Sequence, residues 1–287
     1  MSATEGPTAC LLVGLGGLGC QAVRHASQLL ARRGPGGHPA PVLCLGIDTD
    51  RTLLKHEGLQ GYESIFLETS EFDSVMARPQ DYPPVKDWLP GALPVIDPGR
   101  GVRGSRPLGR LAFFLHRREL DRRLAAALVR LGGADPAYPV KQPPRNLQVL
   151  VVSSLGGGTG SGMLCDFAYL VHRLVHSVPL PCSFTTMLLM GARPPQDEAI
   201  AANVFAGMVE LNHWMARDSR YSYEYSSGER WETERPAFEQ VFLLANNHLE
   251  GTSLPPLFDQ LATQVGLLMW DGFPALREEI TRRHDSF

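Results

Sequence analysis

The chain has 287 residues, of which 44% are hydrophobic and 20% are charged, as in ordinary globular proteins. Its formal net charge of −3 at pH 7 gives no basic surface for nucleic acid. The sequence shows neither an apolar run of about 18 residues, as a membrane span requires, nor an export signal, so we expect a cytoplasmic protein. The five cysteines form no CxxC pair, which predicts free thiols in a reducing compartment.

Short apolar runs rich in β-branched residues alternate with segments of helical periodicity along the chain. This order predicts an α/β fold of the Rossmann-like, three-layer type with a parallel sheet. Residues 1–8 are predicted to be a flexible tail. The predicted strands are 9–13, 42–47, 147–152, 183–190 and 240–245. The predicted helices are 19–33, 73–77, 107–131, 163–175, one that ends near 217, and 254–269.

Two glycine-rich segments each lie between a predicted strand and a predicted helix. Such a loop directs backbone N–H groups at one point, at the positive end of the helix dipole, and so predicts a phosphate-binding cradle. No lysine follows the glycines, so neither segment is a GxxxxGK[ST] loop. The first glycine box contains Gly14, Gly16, Gly17 and Gly19, followed by Cys20 and Gln21. The second glycine box contains Gly156, Gly157, Gly158, Thr159, Gly160, Ser161 and Gly162.

The string GGGTGSG at 156–162, in its strand–loop–helix context, is similar to the signature of the tubulin/FtsZ superfamily of guanine-nucleotide-binding proteins. The resemblance is greatest to divergent bacterial tubulin-like proteins, and it extends over about residues 8–270. The first glycine box resembles the first nucleotide loop of the family, although Gln21 stands where FtsZ-like proteins usually carry Asn. Asp48 and Asp50 belong to a segment, Asp-Thr-Asp, that resembles the Asn-Thr-Asp loop of the family.

Residues 99–110 resemble the third phosphate loop of the family, a run that opens a helix, and Pro107 stands at the start of that helix. Residues 99–105 are here termed the third loop. The resemblance therefore implies that Gly104, Ser105 and Arg106 contact phosphate. Arg103 and Arg106 depart from the family pattern. They are interpreted either as sensors of the terminal phosphate or as solvated loop residues.

The resemblance implies further contacts to the ribose, the base and a cation. Glu198, or secondarily Asp197, is expected at the ribose, and Asn246 at the guanine. Gln264, on the predicted central helix, stands near the position where FtsZ-like proteins direct an Asp at the base. Asp50 is expected to hold Mg²⁺ or its waters, with an Asx-type turn as the alternative.

The implied function is binding of GTP or GDP by a nucleotide-binding domain that spans residues 9–287. The sequence ends soon after the predicted central helix, so we expect the activation domain of the family to be absent. Hydrolysis is then expected to depend on self-association, or on a partner protein that supplies the missing C-terminal part. The isolated chain is expected to be a weak GTPase or none.

Two alternatives stay open at this stage. Gly14, Gly16 and Gly19, with Asp48 after the second strand, also fit the dinucleotide fingerprint and resemble ThiF-like adenylating enzymes. That interpretation gives no reason for the second glycine box. The other alternative is a tubulin-like scaffold that does not hydrolyse nucleotide.

Residues 219–236 form a polar and aromatic excursion in which Tyr221, Tyr223 and Tyr225 alternate with polar residues. The pattern predicts an exposed β-hairpin, either a partner-contact patch or a solvated excursion. His172 and His176 are four residues apart without an accompanying acid. They are therefore predicted to be ordinary histidines on a helix surface rather than metal ligands.

Overall fold

The computed structural model describes residues 8–32, 41–54, 61–91, 93, 99–135, 143–192, 198–226 and 228–246. Six strands form one parallel sheet in the order β3-β2-β1-β4-β5-β8, and β6 and β7 form a separate antiparallel hairpin. The predicted parallel α/β architecture is confirmed. The strands are β1 (Thr8–Leu15), β2 (Val42–Asp48), β3 (Tyr62–Phe66), β4 (Asn146–Ser154), β5 (Cys182–Ala192), β6 (Tyr221–Ser226), β7 (Glu229–Thr233) and β8 (Gln240–Asn246).

The central strands of the sheet are buried on both faces, which explains why they are mostly apolar rather than alternating with polar residues. In β1, Leu11 and Val13 point into a core built with helices α4 and α5, whereas Leu12 points into a second core formed with helix α1. Three layers result. The helices are α1 (Gly16–Arg32), α2 (Arg51–Leu54), α3 (Phe72–Ala77), α4 (Arg106–Leu131), α5 (Thr159–Val175) and α6 (Glu198–Met215).

Strands β1 and β4 are neighbours at the centre of the sheet, and the chain leaves them in opposite directions along the sheet order. Their register pairs Leu15 with Ser153, and β2 ends beside them, with Leu15 opposite Ile47. Ligands of open α/β sheets bind at such a switch point, outside the carboxyl ends of the strands. Both glycine boxes and the Asp-Thr-Asp segment therefore lie together at the carboxyl ends of these strands.

Helices α1 and α5 begin three and four residues earlier than predicted, at Gly16 and Thr159 rather than at residues 19 and 163. Glycine lowers helix propensity, so sequence periodicity places these residues in loops. The structure instead builds the glycines into the first helical turns. Their backbone N–H groups thus belong to helix N-termini.

The hairpin in 219–236 exists as predicted, but the prediction that it is exposed is wrong. Tyr221 and Tyr225 are only 2% and 5% exposed, and their hydroxyls lie 2.7 Å apart. The Tyr221 ring stacks on Tyr169 of α5 with centroids 3.8 Å apart. The alternating tyrosines therefore form the core-facing side of the hairpin, which covers α4 and α5.

The expectation that both histidines lie on the helix surface holds for His176 and is wrong for His172. His172 is buried, and its Nε2 donates hydrogen bonds to the carbonyl oxygens of Pro236 and Ala237, at 3.1 and 3.0 Å. The chain segment after the hairpin packs over α5 at this point, which helical periodicity alone does not reveal.

The five cysteines are free thiols, as predicted. Burial raises the pKa of the Cys44 thiol to about 12, so this side chain is neutral and packs as a small apolar group. Within the part of the chain that the structure describes, no helix is both long enough and apolar enough to cross a membrane.

Candidate functional site

The two glycine boxes are in direct backbone contact. Gly16 has a φ of +71°, and a Cβ built on it would lie 2.8 Å from the nitrogen of Gly160. A Cβ on Gly160 would collide with the carbonyl of Leu15 and the hydroxyl of Ser153. Only glycine permits this approach, so the N-termini of α1 and α5 open at the same place.

The third loop closes over the second glycine box. A Cβ on Gly158 would lie 2.8 Å from the backbone of Gly104 and of Ser105. The backbones of helices α4 and α5 also approach closely at one point, since a Cβ on Gly109 or Gly162 would collide with backbone at the N-terminal end of the other helix. The N-terminus of α4 is thereby brought to the same edge as those of α1 and α5.

The Asp-Thr-Asp segment is held between the third loop and the second glycine box. The Thr49 hydroxyl lies 2.7 Å from the Thr159 hydroxyl, and both residues are buried. Asp50 forms a β-bridge with Arg100, and a Cβ on Gly101 would touch Asp50 at 3.2 Å. Four segments distant in sequence thus meet at the carboxyl edge of the sheet, and the region between them is here termed the hollow.

Asp48 ends β2 at the base of this arrangement and is 2% exposed. Its Oδ1 accepts a hydrogen bond from the Thr49 amide at 2.7 Å, whereas its Oδ2 has no hydrogen-bond partner among the described residues. The Oδ2 would lie 3.6 Å from a Cβ on Gly17. Burial raises the pKa of the Asp48 carboxyl to about 6, although the bond from the Thr49 amide opposes the rise. A cation, or a donor on a ligand, would satisfy this oxygen.

Asp50 differs from Asp48 in that its carboxylate is already used locally. Its Oδ1 accepts hydrogen bonds from the amide and the hydroxyl of Thr52, at 2.8 and 2.6 Å, as in an Asx-type turn. That geometry matches the alternative interpretation of Asp50 and leaves its other oxygen for a cation or its waters.

The three helix N-termini carry no acidic residue in the first turn of α1, α4 or α5. No side-chain hydrogen bond caps α4 at Ser105 or α5 at Gly158. The first amides of a helix have no intrahelical acceptor, and the helix dipole makes this end positive. The backbone amides at these helix N-termini are therefore suited to bind an anion.

Some predicted site residues have structural contacts. The Cys20 thiol is buried and lies 3.4 Å from the Gly14 carbonyl and 3.5 Å from that of Ile47, so it ties α1 to the strand ends. Burial also raises its pKa, which keeps the thiol neutral. Gln21, the next residue of α1, is partly exposed.

Arg106 and Ser161 contact each other. The Arg106 Nε donates to the Ser161 hydroxyl at 2.8 Å, and its Nη2 donates to the Ser161 carbonyl at 3.3 Å and to the Glu210 carboxylate of α6. Arg106 thus joins three helices. Arg103 is exposed and adopts a φ of +46°, which is unusual for a residue with a side chain.

The sequence over residues 11–282 matches the family model described as tubulin like. The chain belongs to this tubulin-like family. No curated protein matches the sequence.

The tubulin-like chain is similar to solved structures that share its fold. It is 17% identical to CetZ2 from Haloferax volcanii, solved as a GTPγS-bound protofilament, with a TM-score of 0.55, 92% of this chain and 59% of that chain covered. It is 16% identical to the GDP-bound CetZ1 monomer from Haloferax volcanii, with a TM-score of 0.51 and coverage of 91% and 60%. It is 14% identical to the empty FtsZ dimer of M. jannaschii, with a TM-score of 0.53 and coverage of 92% and 55%. The chain thus spans well under two thirds of each of these chains.

Of the remaining predicted contacts, two belong to the described part of the tubulin-like chain and two do not. Glu198 begins α6 and is exposed, and Asn246 ends β8 at the edge of the sheet. Asp197 and Gln264 fall outside the described residues, as does the predicted helix 254–269.

Asn203 of α6 is a functional candidate that the sequence interpretation missed. Its Nδ2 donates to the carbonyl oxygens of Gly104 and Gly156, at 2.8 and 3.0 Å. The one available signal was a single amide side chain in the run Ala199 to Ala206, which is otherwise apolar.

In the described part of the tubulin-like chain, no group of three or more His, Cys, Asp or Glu residues is placed to hold a metal ion. Mg²⁺ commonly uses one or two carboxylates together with phosphate oxygens. The residues Asp48 and Asp50 fit that mode, because each has a carboxylate oxygen that forms no hydrogen bond to a described residue.

Proposed function

We propose that this chain binds a guanine nucleoside di- or triphosphate, with the phosphates in the hollow between the two glycine boxes and the third loop. The observation that carries the proposal is the convergence of three helix N-termini without acidic first turns, of which those of α4 and α5 also have no side-chain cap. A triphosphate accepts many hydrogen bonds, and backbone amides at helix N-termini supply them without a lysine. Family membership favours GTP and GDP over other anions.

The assignments within the site follow from this placement. Backbone amides of Gly16, Gly17 and Gly157 through Gly160 would bind phosphate oxygens, with the third loop closing on them. Asp48 and Asp50 would hold Mg²⁺, which offsets phosphate charge that these carboxylates otherwise repel. Glu198 would contact the ribose, and Asn246 and Gln264 the base.

Hydrolysis is proposed to require self-association or a segment beyond the described residues. In this assignment the carboxylates of Asp48 and Asp50 hold Mg²⁺, and no other described side chain is assigned as a general base for an attacking water. A weak or absent GTPase activity of the dilute monomer follows. A tubulin-like protein that uses nucleotide only as a structural ligand is the second candidate.

The strand order and Asp48 at the end of β2 also suit a dinucleotide, so ligand choice has to be measured. Thermal unfolding of the full chain with GTP, GDP, ATP and NAD separates the proposals. GTP and GDP are expected to stabilise it by about 2.7 kcal/mol at a hundredfold excess over Kd. Stabilisation by NAD or ATP alone would favour the dinucleotide or adenylating alternative.

A matched pair of variants tests the location. A Cβ on Gly157 meets only the Ser154 carbonyl, at 4.0 Å, so Gly157→Asp fits sterically but adds a negative charge at the hollow. Gly91→Asp introduces the same charge at an exposed glycine that has no atom of a described residue within 4 Å of its Cβ position. Gly157→Asp should abolish nucleotide binding without changing the Tm, and Gly91→Asp should change neither. Nucleotide binding by Gly157→Asp at wild-type affinity would refute the site.

A further inference from the structure

Helix α6 contacts the two phosphate loops along a single stripe. Residues 200, 203, 207 and 210 recur every third or fourth position and so lie on one face of the helix. Ile200 packs over Gly156, Gly207 abuts Leu155 and Ser161, and Glu210 binds Arg106. The other side carries exposed apolar residues, of which Phe205 is 72% exposed. The inner stripe of α6 is thus the wall behind the second glycine box and the third loop.

Asn203 is the member of this stripe that links the two loops chemically. A primary amide has two N–H donors, and here each finds a carbonyl from a different loop, Gly104 at 2.8 Å and Gly156 at 3.0 Å. Gly104 has a φ of +83°, so this part of the third loop has a conformation that few residues favour. One side chain therefore holds two backbone segments that are about fifty residues apart.

The bond to Gly156 also sets the direction of the next amide. In a trans peptide the carbonyl and the following N–H point in opposite directions. Because Asn203 holds the Gly156 carbonyl towards α6, the Gly157 N–H points away from α6. This N–H forms no hydrogen bond to any residue that the structure describes. It is left as a donor on the open side of the box.

We propose that Asn203 is a positioning residue for the nucleotide phosphates, which fixes the third loop against the second glycine box and directs the Gly157 amide at the ligand. The inference rests on the proposed nucleotide function, because it assigns a role within that site. Asn203 contacts no ligand itself and acts through the two loops.

The test compares Asn203→Ala, Asn203→Asp and Asn203→Gln with Asn212→Ala in the full chain. Asn212 is exposed on the opposite face of the same helix and serves as the matched control. The readouts are the Kd for GDP, the Tm, and amide hydrogen exchange of residues 99–105 and 154–162 without ligand.

Asn203→Ala should weaken GDP binding about tenfold and speed exchange in both loops, with the Tm almost unchanged, since two hydrogen bonds are lost at a partly exposed site. Asn203→Asp should weaken binding further, because its carboxylate faces two carbonyl oxygens and adds negative charge. Asn203→Gln, which keeps an amide donor, should restore part of the affinity. Asn212→Ala should match the wild type.

Wild-type affinity and wild-type loop exchange in Asn203→Ala would overturn the inference. A fall in Tm with faster exchange throughout the molecule would also overturn it, because the role would then be general stability. Failure of the wild-type chain to bind GTP or GDP would instead contradict the proposed function. The exchange measurement without ligand would still decide whether Asn203 fixes the two loops.

Discussion

The hydroxyl oxygens of Thr49 and Thr159 lie 2.7 Å apart, although the residues are 110 positions apart in sequence. Thr49 follows β2 and is fully buried, and Thr159 is the first residue of α5. This hydrogen bond joins the Asp-Thr-Asp segment to the second glycine box beneath the hollow. It links two proposed nucleotide loops through one pair of side chains.

The first prediction concerns that pair. Thr159→Val keeps the shape but leaves the buried Thr49 hydroxyl without its partner, which should lower the free energy of unfolding by about 1–3 kcal/mol. It should also weaken nucleotide binding, since the loops lose their link. Urea unfolding and GDP titration measure the two effects. Thr159→Ser keeps the hydroxyl and should lie close to wild type, so equal losses in both variants would contradict the assignment.

The second prediction separates two neighbouring glycines. Gly160→Ala places a methyl group against the Leu15 carbonyl and the Ser153 hydroxyl, so backbone must move, at a cost of about 1–3 kcal/mol. Gly157→Ala meets open space and should be neutral or stabilising by up to about 1 kcal/mol. Chemical denaturation of both variants tests the contact between the glycine boxes. If Gly160→Ala were as stable as Gly157→Ala, the two boxes would not be as close as described.

The third prediction concerns the ion pair beneath the hairpin. Arg110 donates to both oxygens of Asp166, at 2.7 and 3.2 Å, and its guanidinium lies over the Trp88 ring at 4.5 Å. Asp166→Asn leaves a largely enclosed arginine without its counter-charge and should cost about 2–3 kcal/mol, since Arg110 retains some solvent contact.

The control for this ion pair is the exposed pair of Arg122 and Glu119 on α4. Glu119→Gln should change the free energy of unfolding by less than about 1 kcal/mol. Thermal and urea unfolding of both variants give the comparison. Similar small effects in Asp166→Asn and Glu119→Gln would show that the buried pair does not anchor the hairpin.

The fourth prediction is a pH dependence of stability from His172. Burial lowers its pKa below the ordinary value of 6.5, and the nearby charges of Arg235 and His176 act in the same direction. The unfolded chain therefore binds a proton more readily than the folded chain. The contribution of neutral His172 is complete above pH 6.5 and is lost as the pH falls from 6.5 towards the folded pKa.

His172→Gln isolates this effect, because glutamine still donates to the carbonyls of Pro236 and Ala237 but does not titrate. Asp48, whose pKa is raised to about 6, changes stability in the opposite direction over a similar range and is present in both proteins. As the pH is lowered from about 7 to 5, the unfolding free energy of the wild type should decrease relative to that of the variant. A difference independent of pH would contradict the burial of His172.

Much of the fold could be predicted because local signals and tertiary structure agree. The apolar strands, the glycine boxes and α4 follow from patterns within single segments. Strand β3 (Tyr62–Phe66) was not predicted, since its burial alternates irregularly in a short run. The covered face of the hairpin and the burial of His172 depend on contacts across about fifty residues or more, which periodicity does not encode.

The candidate site divides in the same way. Glycine-rich segments indicate places where backbones approach closely, so the positions of Gly16 and Gly160 in such contacts were predictable. Arg106 was expected at phosphate because its segment resembles the third phosphate loop of the family, yet in the structure it binds Ser161 and Glu210. Asn203 was missed because its partners are backbone carbonyl groups, which every residue has and which therefore leave no pattern in the sequence.

The close backbone approach of α4 and α5 at Gly109 and Gly162 has a mechanical consequence. Where Gly109 and Gly162 bring the two backbones together, neither helix can tilt away without opening a gap that no nearby side chain fills. The two helices should therefore move as one rigid body. If the proposed nucleotide lost a phosphate and the conformation changed, α4 and α5 would be expected to shift together against α1 or α6. They would not be expected to separate from each other.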